Sequence, residues 1–186
     1  MHEQIELLKK FYEAVEHAAS IAQRETSEIK VVAVSKTKSA EMIMNFRRAG
    51  IKDFGENYVQ EFTEKWETLQ GNEINWHFIG HLQTNKVKYI IDKVHMIHTL
   101  DSIKLAKEIE KQAKIKNVKE VLCLIEVNTG GEDQKSGVNP SELETLMQEL
   151  KEIKVIKLKG LMTIPPAEEP EEARKYFKML YELKEN

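Results

Sequence analysis

Short apolar runs, several rich in β-branched residues, recur along this chain, and each is followed by a stretch whose apolar residues return at helical spacing. The runs fall at 31–34, 51–55, 74–79, 95–99, 121–127 and 155–162. Between and after them, Ile43, Met44 and Phe46, then Tyr58, Phe62 and Trp66, then Leu105, Ile109 and Ala113 mark one face each of an amphipathic helix. A shorter helix is expected at 85–91, and two more run through Leu143, Leu146 and Leu150 and through Ala173, Phe177, Leu180 and Leu183. A leading helix from Ile5 to about Arg24 precedes the first strand. Strands that alternate with helices require right-handed crossovers and a parallel sheet. The pattern therefore predicts an α/β protein of about six strand–helix units behind one extra helix.

The punctuation agrees with this reading. Ser39 is placed to N-cap the second helix and Gly50 to close it. Asn57 and Asp101 stand where later helices should open, and Asn139-Pro140 with Glu142 forms an N-cap, first-turn proline and capping acid. Six units suit either an open doubly wound sheet or most of an eight-stranded barrel, and no glycine-rich dinucleotide fingerprint follows the first strand. No linker or composition break divides the chain, so residues 1–186 are expected to form a single domain. A complete (β/α)8 barrel usually takes about 250 residues, so a barrel here would lack its last two strands and the sequence would be a fragment of a longer one.

Charge and composition narrow the function classes. The net charge is −3 with both signs interspersed, and no basic block could track a phosphate backbone, which argues against nucleic acid as a partner. The apolar runs are too short to span a bilayer, and the polar start Met1-His2-Glu3-Gln4 does not read as a signal peptide. Cys123, the single cysteine, lies inside an apolar run and reads as a small core residue. A reducing, cytoplasmic setting is expected.

Ligands of strand–helix folds bind at the carboxyl ends of the strands. Lys36 stands there, directly after the first strand and flanked by Ser35 and Thr37. Held at the edge of a core, a lysine amine is desolvated and becomes available as a nucleophile; pointing into water, it merely ends a strand. Asn57, in Phe54-Gly55-Glu56-Asn57-Tyr58, is either a helix N-cap or an amide presented to a ligand. His77 and His81 are four apart and would share a strand face, whereas His95 and His98 would not. With no Cys, Asp or Glu at ligand spacing, no metal site is expected, and His77 is better placed to line a pocket. The loop 128–137, containing Gly130 and Gly131, could cup an anion through backbone N–H groups but lacks a P-loop ending. Met162 and Thr163 end the last strand at pocket level.

Taken together, Ala33-Val34-Ser35-Lys36-Thr37-Lys38, Phe54-Gly55-Glu56-Asn57-Tyr58-Val59-Gln60-Glu61, Trp76-His77-Phe78-Ile79-Gly80-His81-Leu82-Gln83-Thr84-Asn85-Lys86, Lys135-Ser136-Gly137 and Lys159-Gly160-Leu161-Met162-Thr163-Ile164 resemble, in this order and spacing, the pyridoxal 5′-phosphate homeostasis proteins, the YggS/PROSC group. The resemblance spans essentially the whole chain. It implies a TIM-type (β/α)8 barrel similar to the amino-terminal domain of alanine racemase. It further implies that Lys36 holds pyridoxal phosphate as a Schiff base, that Asn57 lies near the cofactor, and that His77 and Met162 face the same pocket. Lys135 matches, by the same resemblance, a lysine that serves some members as a secondary acceptor of the cofactor.

The implied role is to buffer the cofactor or deliver it to pyridoxal-phosphate-dependent apo-enzymes, as a monomer and without turnover. An amino-acid racemase is the alternative, since the fold is shared, but racemisation needs proton donors on both faces of the substrate and the second domain that supplies one is missing. A third option is an unrelated barrel enzyme acting on a phosphorylated small molecule. One departure stands out. The family's Ser-Met-Gly-Met-Ser-like strand end and Val-Arg-Ile-Gly segment, which hold the phosphate, do not occur in this sequence. Weak binding of the cofactor, or none, is expected unless those strands are supplied.

Overall fold

The computed structural model describes residues 2–132, 136–167 and 169–185. Helix α1 (His2–Ile21) leads into strands β1 (Ala33–Val34), β2 (Asp53–Glu56), β3 (Asn75–Phe78), β4 (Met96–Leu100), β5 (Val121–Glu126) and β6 (Ile156–Met162). Helices α2 (Ala40–Arg48), α3 (Val59–Thr68), α4 (Ile103–Ile115), α5 (Leu143–Leu150) and α6 (Pro170–Glu185) follow β1, β2, β4, β5 and β6. After β3 the crossover is a 3-10 helix, Thr84–Tyr89. No helix among the described residues is long and apolar enough to cross a membrane.

Every strand pair is parallel, and the order across the sheet is β1-β2-β3-β4-β5-β6. That order decides between the two architectures left open by the sequence. A doubly wound sheet reverses direction at a switch point, whereas strands that add in one direction generate a barrel wall. The chain forms six consecutive units of a TIM-type barrel.

Alternation along each strand sorts the side chains into two layers. Phe54 and Trp76, paired across β2 and β3, point toward α3, where the Phe62 ring meets Trp76 edge-on with centroids 5.7 Å apart. Val121, Cys123 and Ile125 of β5 are buried with Leu105, Ile109 and Ala113 of α4 in the same core. The intervening residues, among them Asp53, Gly55, His77 and Glu126, fall on the opposite, inner face. Gly55 leaves room there for Ile79, whose Cδ1 would stand 2.8 Å from a Cβ at that position and would have to shift.

The caps hold at Ser39, whose Oγ accepts from the Met42 N–H, and at Asn139, which accepts from Ser141. Two others differ. Ser102, not Asp101, caps α4 by accepting from the Leu105 N–H, and Asp101 instead accepts from the Ser102 hydroxyl. Tyr58, not Asn57, occupies the N-cap position of α3, with no side-chain cap bond. The first strand is also shorter than the apolar run 31–34: only Ala33 and Val34 enter the ladder with β2, and a tight turn at Ser35–Lys38 follows.

Candidate functional site

The turn that ends β1 carries Lys36. The Lys38 N–H donates to the Ser35 carbonyl, so Lys36 and Thr37 are the two central residues, and Thr37 has φ +63°. A positive φ confined to the third position is the mark of a type II turn, which favours glycine there. A β-branched threonine in that region is an outlier, and strained backbone of this kind collects at functional sites. Lys36 itself is exposed. The partial burial expected at the edge of the core is therefore not present; what is fixed is the backbone on either side of it.

That backbone is tied to α3 and β2. The Ser35 N–H donates to the Gly55 carbonyl at 2.9 Å, and the Ser35 hydroxyl donates to Glu56 Oε1 at 2.6 Å. Lys65, buried on α3, donates from Nζ to the Ser35 carbonyl (2.6 Å), to Glu56 Oε1 (2.7 Å) and to Glu61 Oε1 (2.7 Å). The Thr37 N–H donates to the same Glu61 oxygen at 2.5 Å. Burial pushes the Glu56 carboxyl above its ordinary range against the pull of the Lys65 and Ser35 bonds, and Glu56 Oε2 has no partner.

Asn57 follows β2, beside the Lys36 turn. Its backbone is in such close contact with Gly80 that a Cβ there would overlap the Asn57 carbonyl oxygen. Thr99 holds the Gly80 carbonyl from β4 with a 2.7 Å hydrogen bond. Asn57 Oδ1 is buried and has no hydrogen-bond partner. A buried acceptor left without a donor costs about 1–3 kcal/mol, which fits an amide waiting for a ligand better than a helix cap.

Met162, the last residue of β6, pairs with Glu126 across β5 and β6, and its carbonyl accepts from the Val127 N–H at 2.8 Å. Glu126 is 5% exposed with Oε2 unpartnered. Burial, reinforced by the Asp101 carboxylate, pushes its carboxyl up to about 7. Lys36, Asn57 and Met162 thus lie at the carboxyl ends of β1, β2 and β6, with β1 and β6 at opposite edges of the sheet. Lys135 lies outside the described residues.

His77 precedes the last residue of β3, and its ring is buried. Nε2 lies 2.9 Å from Asp53 Oδ1 and Nδ1 lies 2.8 Å from His98 Nε2. The His95 ring stands 5.2 Å away, so both His95 and His98 reach His77, and His81 does not join them. Asp53, His77 and His95 could in principle converge on a metal, a grouping that sequence spacing hid because Asp53 comes from another strand. Both His77 nitrogens are already bonded, however, and the Lys30 ammonium lies 3.5 Å from the same Asp53 oxygen, opposing a cation there. Burial and the His77 and His95 charges push His98 down to about 4, and burial pushes His77 down against its Asp53 bond. Burial raises Asp53, but the His77 and Asn75 bonds and the Lys30 charge outweigh it and hold the carboxyl low. The hydrogen-bonded chain from His98 through His77 to the Asp53 carboxylate ties β4, β3 and β2 together across the inner face.

Known proteins share this architecture. The profile of the alanine racemase N-terminal domain matches residues 12–186. A pyridoxal phosphate homeostasis protein of Aquifex aeolicus is 46% identical over 181 residues, covering 97% of this chain and 79% of that protein. One of Pseudomonas aeruginosa is 38% identical over 151 residues, and the chain spans 65% of its length. Among solved structures, PipY of Synechococcus elongatus PCC7942 with pyridoxal phosphate bound superposes with a TM-score of 0.75 at 26% identity, covering 92% of this chain and 82% of that one. Alanine racemase from Corynebacterium glutamicum, at 15% identity and a TM-score of 0.67 over 84% of this chain and 44% of its own, shares the fold.

Proposed function

The chain belongs to the alanine racemase N-terminal domain family, and on that premise we propose that it binds pyridoxal 5′-phosphate at the carboxyl ends of β1 and β2 and holds it for delivery rather than for turnover. The single observation that carries this reading is the Lys36 turn: an accessible primary amine on backbone fixed by Ser35, Glu56, Glu61 and Lys65. The unpartnered Asn57 Oδ1 beside it supplies an acceptor for a donor on a bound molecule. These residues fit the aldehyde end of the group, which when bound supplies a carbonyl that condenses with a primary amine. Lys36 is the amine and Asn57 orients, while Met162, at the end of β6 on the opposite edge of the sheet, lines the far side of the same barrel mouth in this reading. His77, bonded through both nitrogens, acts in this reading as a brace for the inner face and not as a contact. Pyridoxal phosphate homeostasis in the named relatives supports holding over catalysis. Residues 1–186 acting as one monomeric unit, a cytoplasmic setting and apo-enzymes as recipients are parts of the same proposal.

Titration with pyridoxal phosphate tests it: a visible absorption band should grow that the Lys36→Ala variant lacks. An unrelated barrel enzyme for a phosphorylated metabolite would give no such band and would be indifferent to that substitution. The racemase reading is tested by incubating the protein and cofactor with L- or D-alanine. No interconversion above the rate with free cofactor is expected, because no group described here is placed to move protons on both faces of a substrate.

A further inference from the structure

The sequence pattern places Lys65 and Glu61 on an ordinary amphipathic helix, where charged side chains normally face solvent. In the structure Lys65 is buried, its side chain 8% exposed, and Glu56 is fully enclosed. Burying an ion pair, here Lys65 and Glu56, is a poor way to gain stability, since apolar side chains of the same volume often do as well or better. The network is not even fully satisfied, as Glu56 Oε2 has no partner. What it does achieve is geometric. Lys65 grips the carbonyl before Lys36, Glu61 grips the amide after it, and Glu56 grips the Ser35 side chain. The same three bonds hold Thr37 in its left-handed conformation at φ +63°, which an unrestrained threonine would leave.

We propose that Lys65 and Glu61 are positioning residues: by clamping both peptide groups that flank Lys36 to α3, they fix the Cα from which its amine is presented. This rests on the proposed role of Lys36 and adds to it the device that aims it. Lys65 does not itself meet the ligand, because its three donors are taken by Ser35, Glu56 and Glu61.

Three variants separate positioning from a merely structural role. Glu61→Gln keeps an oxygen for the Thr37 N–H, Glu61→Ala removes it, and Lys65→Met removes the other jaw of the clamp. Each is incubated with pyridoxal phosphate, trapped with borohydride over time and mapped by peptide fragmentation, with the neighbouring Lys38 as internal reference. Labelling of Lys36 relative to Lys38 should fall at least about tenfold in Glu61→Ala and Lys65→Met, and Glu61→Gln should stay near wild type, since small misplacements of a reacting group carry penalties of this order. Hydrogen exchange of the Thr37 amide, read without cofactor, should accelerate in Glu61→Ala and not in Glu61→Gln. Glu61 is a quarter exposed, so its variants fold even if Lys65→Met does not, and the Glu61 pair then decides. Unchanged Lys36 labelling in folded Glu61→Ala, or equal loss in Gln and Ala, would overturn the proposal. A wild-type protein that labels Lys36 no faster than Lys38 would instead overturn the cofactor site itself, while the exchange result still reports on the clamp.

Discussion

Replacing Glu126 by Gln should change how stability depends on pH, in a direction and amount that the structure sets. The Glu126 carboxyl sits on the inner face at the end of β5 with one oxygen unpartnered, and burial together with Asp101 raises it from 4.5 to about 7. A group whose folded pKa is raised contributes stability that is fully present below its unfolded value. That contribution is lost as pH climbs to the folded one. At about 1.4 kcal/mol per pH unit, the loss between pH 4.5 and 7 has a ceiling of about 3 kcal/mol. Relaxation of the protein around the buried charge lowers this to about 2 kcal/mol. Glutamine keeps the shape and cannot ionise. The stability of Glu126→Gln minus that of wild type should therefore rise by this amount from pH 4.5 to 7 and stay level above it.

His98 works in the opposite direction. Its folded value is depressed from 6.5 to about 4, so its contribution is present above pH 6.5 and is lost as the medium is acidified toward 4. In wild type the two slopes oppose each other between pH 4.5 and 6.5. In Glu126→Gln the acid-side loss stands uncovered, and the variant should unfold more steeply toward low pH. Urea denaturation at half-unit pH steps on both proteins measures this. A stability difference that is flat with pH, or that grows toward acid, would refute the assignment of Glu126 as a buried, partly protonated carboxyl.

Gly80→Ala should destabilise the protein by about 1–3 kcal/mol in thermal or urea unfolding, because the new methyl group meets the Asn57 backbone, which cannot rotate aside. Asn57→Ala should leave the melting temperature of the ligand-free protein at or above that of wild type, since its buried oxygen has no partner to lose and its desolvation cost is removed, while weakening pyridoxal phosphate binding by about tenfold, the equivalent of one good hydrogen bond. A large drop in melting temperature with unchanged binding would make Asn57 a structural residue.

The strand–helix rhythm was legible because burial on both faces of a parallel strand and on one face of a helix leaves distinct periods in the sequence. Ser39 and Asn139 were legible as caps because that chemistry is local. The choice of barrel over open sheet came from the family resemblance and not from that rhythm, since strand order is a property of the assembled sheet. Asn57 read as a cap because the residue type suits one, yet the helix opens one residue later, and the close approach of Gly80 fixes Asn57 instead. The cluster of Asp53, His77, His95 and His98 was missed for a general reason: spacing along the chain says nothing about side chains that meet across strands. Lys65 was missed more thoroughly. Nothing at its position on an amphipathic helix distinguishes a solvated lysine from one drawn inward by a carbonyl and two carboxylates, and only the turn at Ser35–Lys38 supplies that carbonyl.

The central claim is that Lys36 is the amine that holds the cofactor. Borohydride reduction of the protein equilibrated with pyridoxal phosphate, followed by peptide mapping, tests it most directly. At saturating cofactor the label is predicted to fall on Lys36 ahead of every other lysine, and Lys36→Ala is predicted to lose that preferential labelling. Label distributed over the exposed lysines, or concentrated on a lysine other than Lys36, would contradict it.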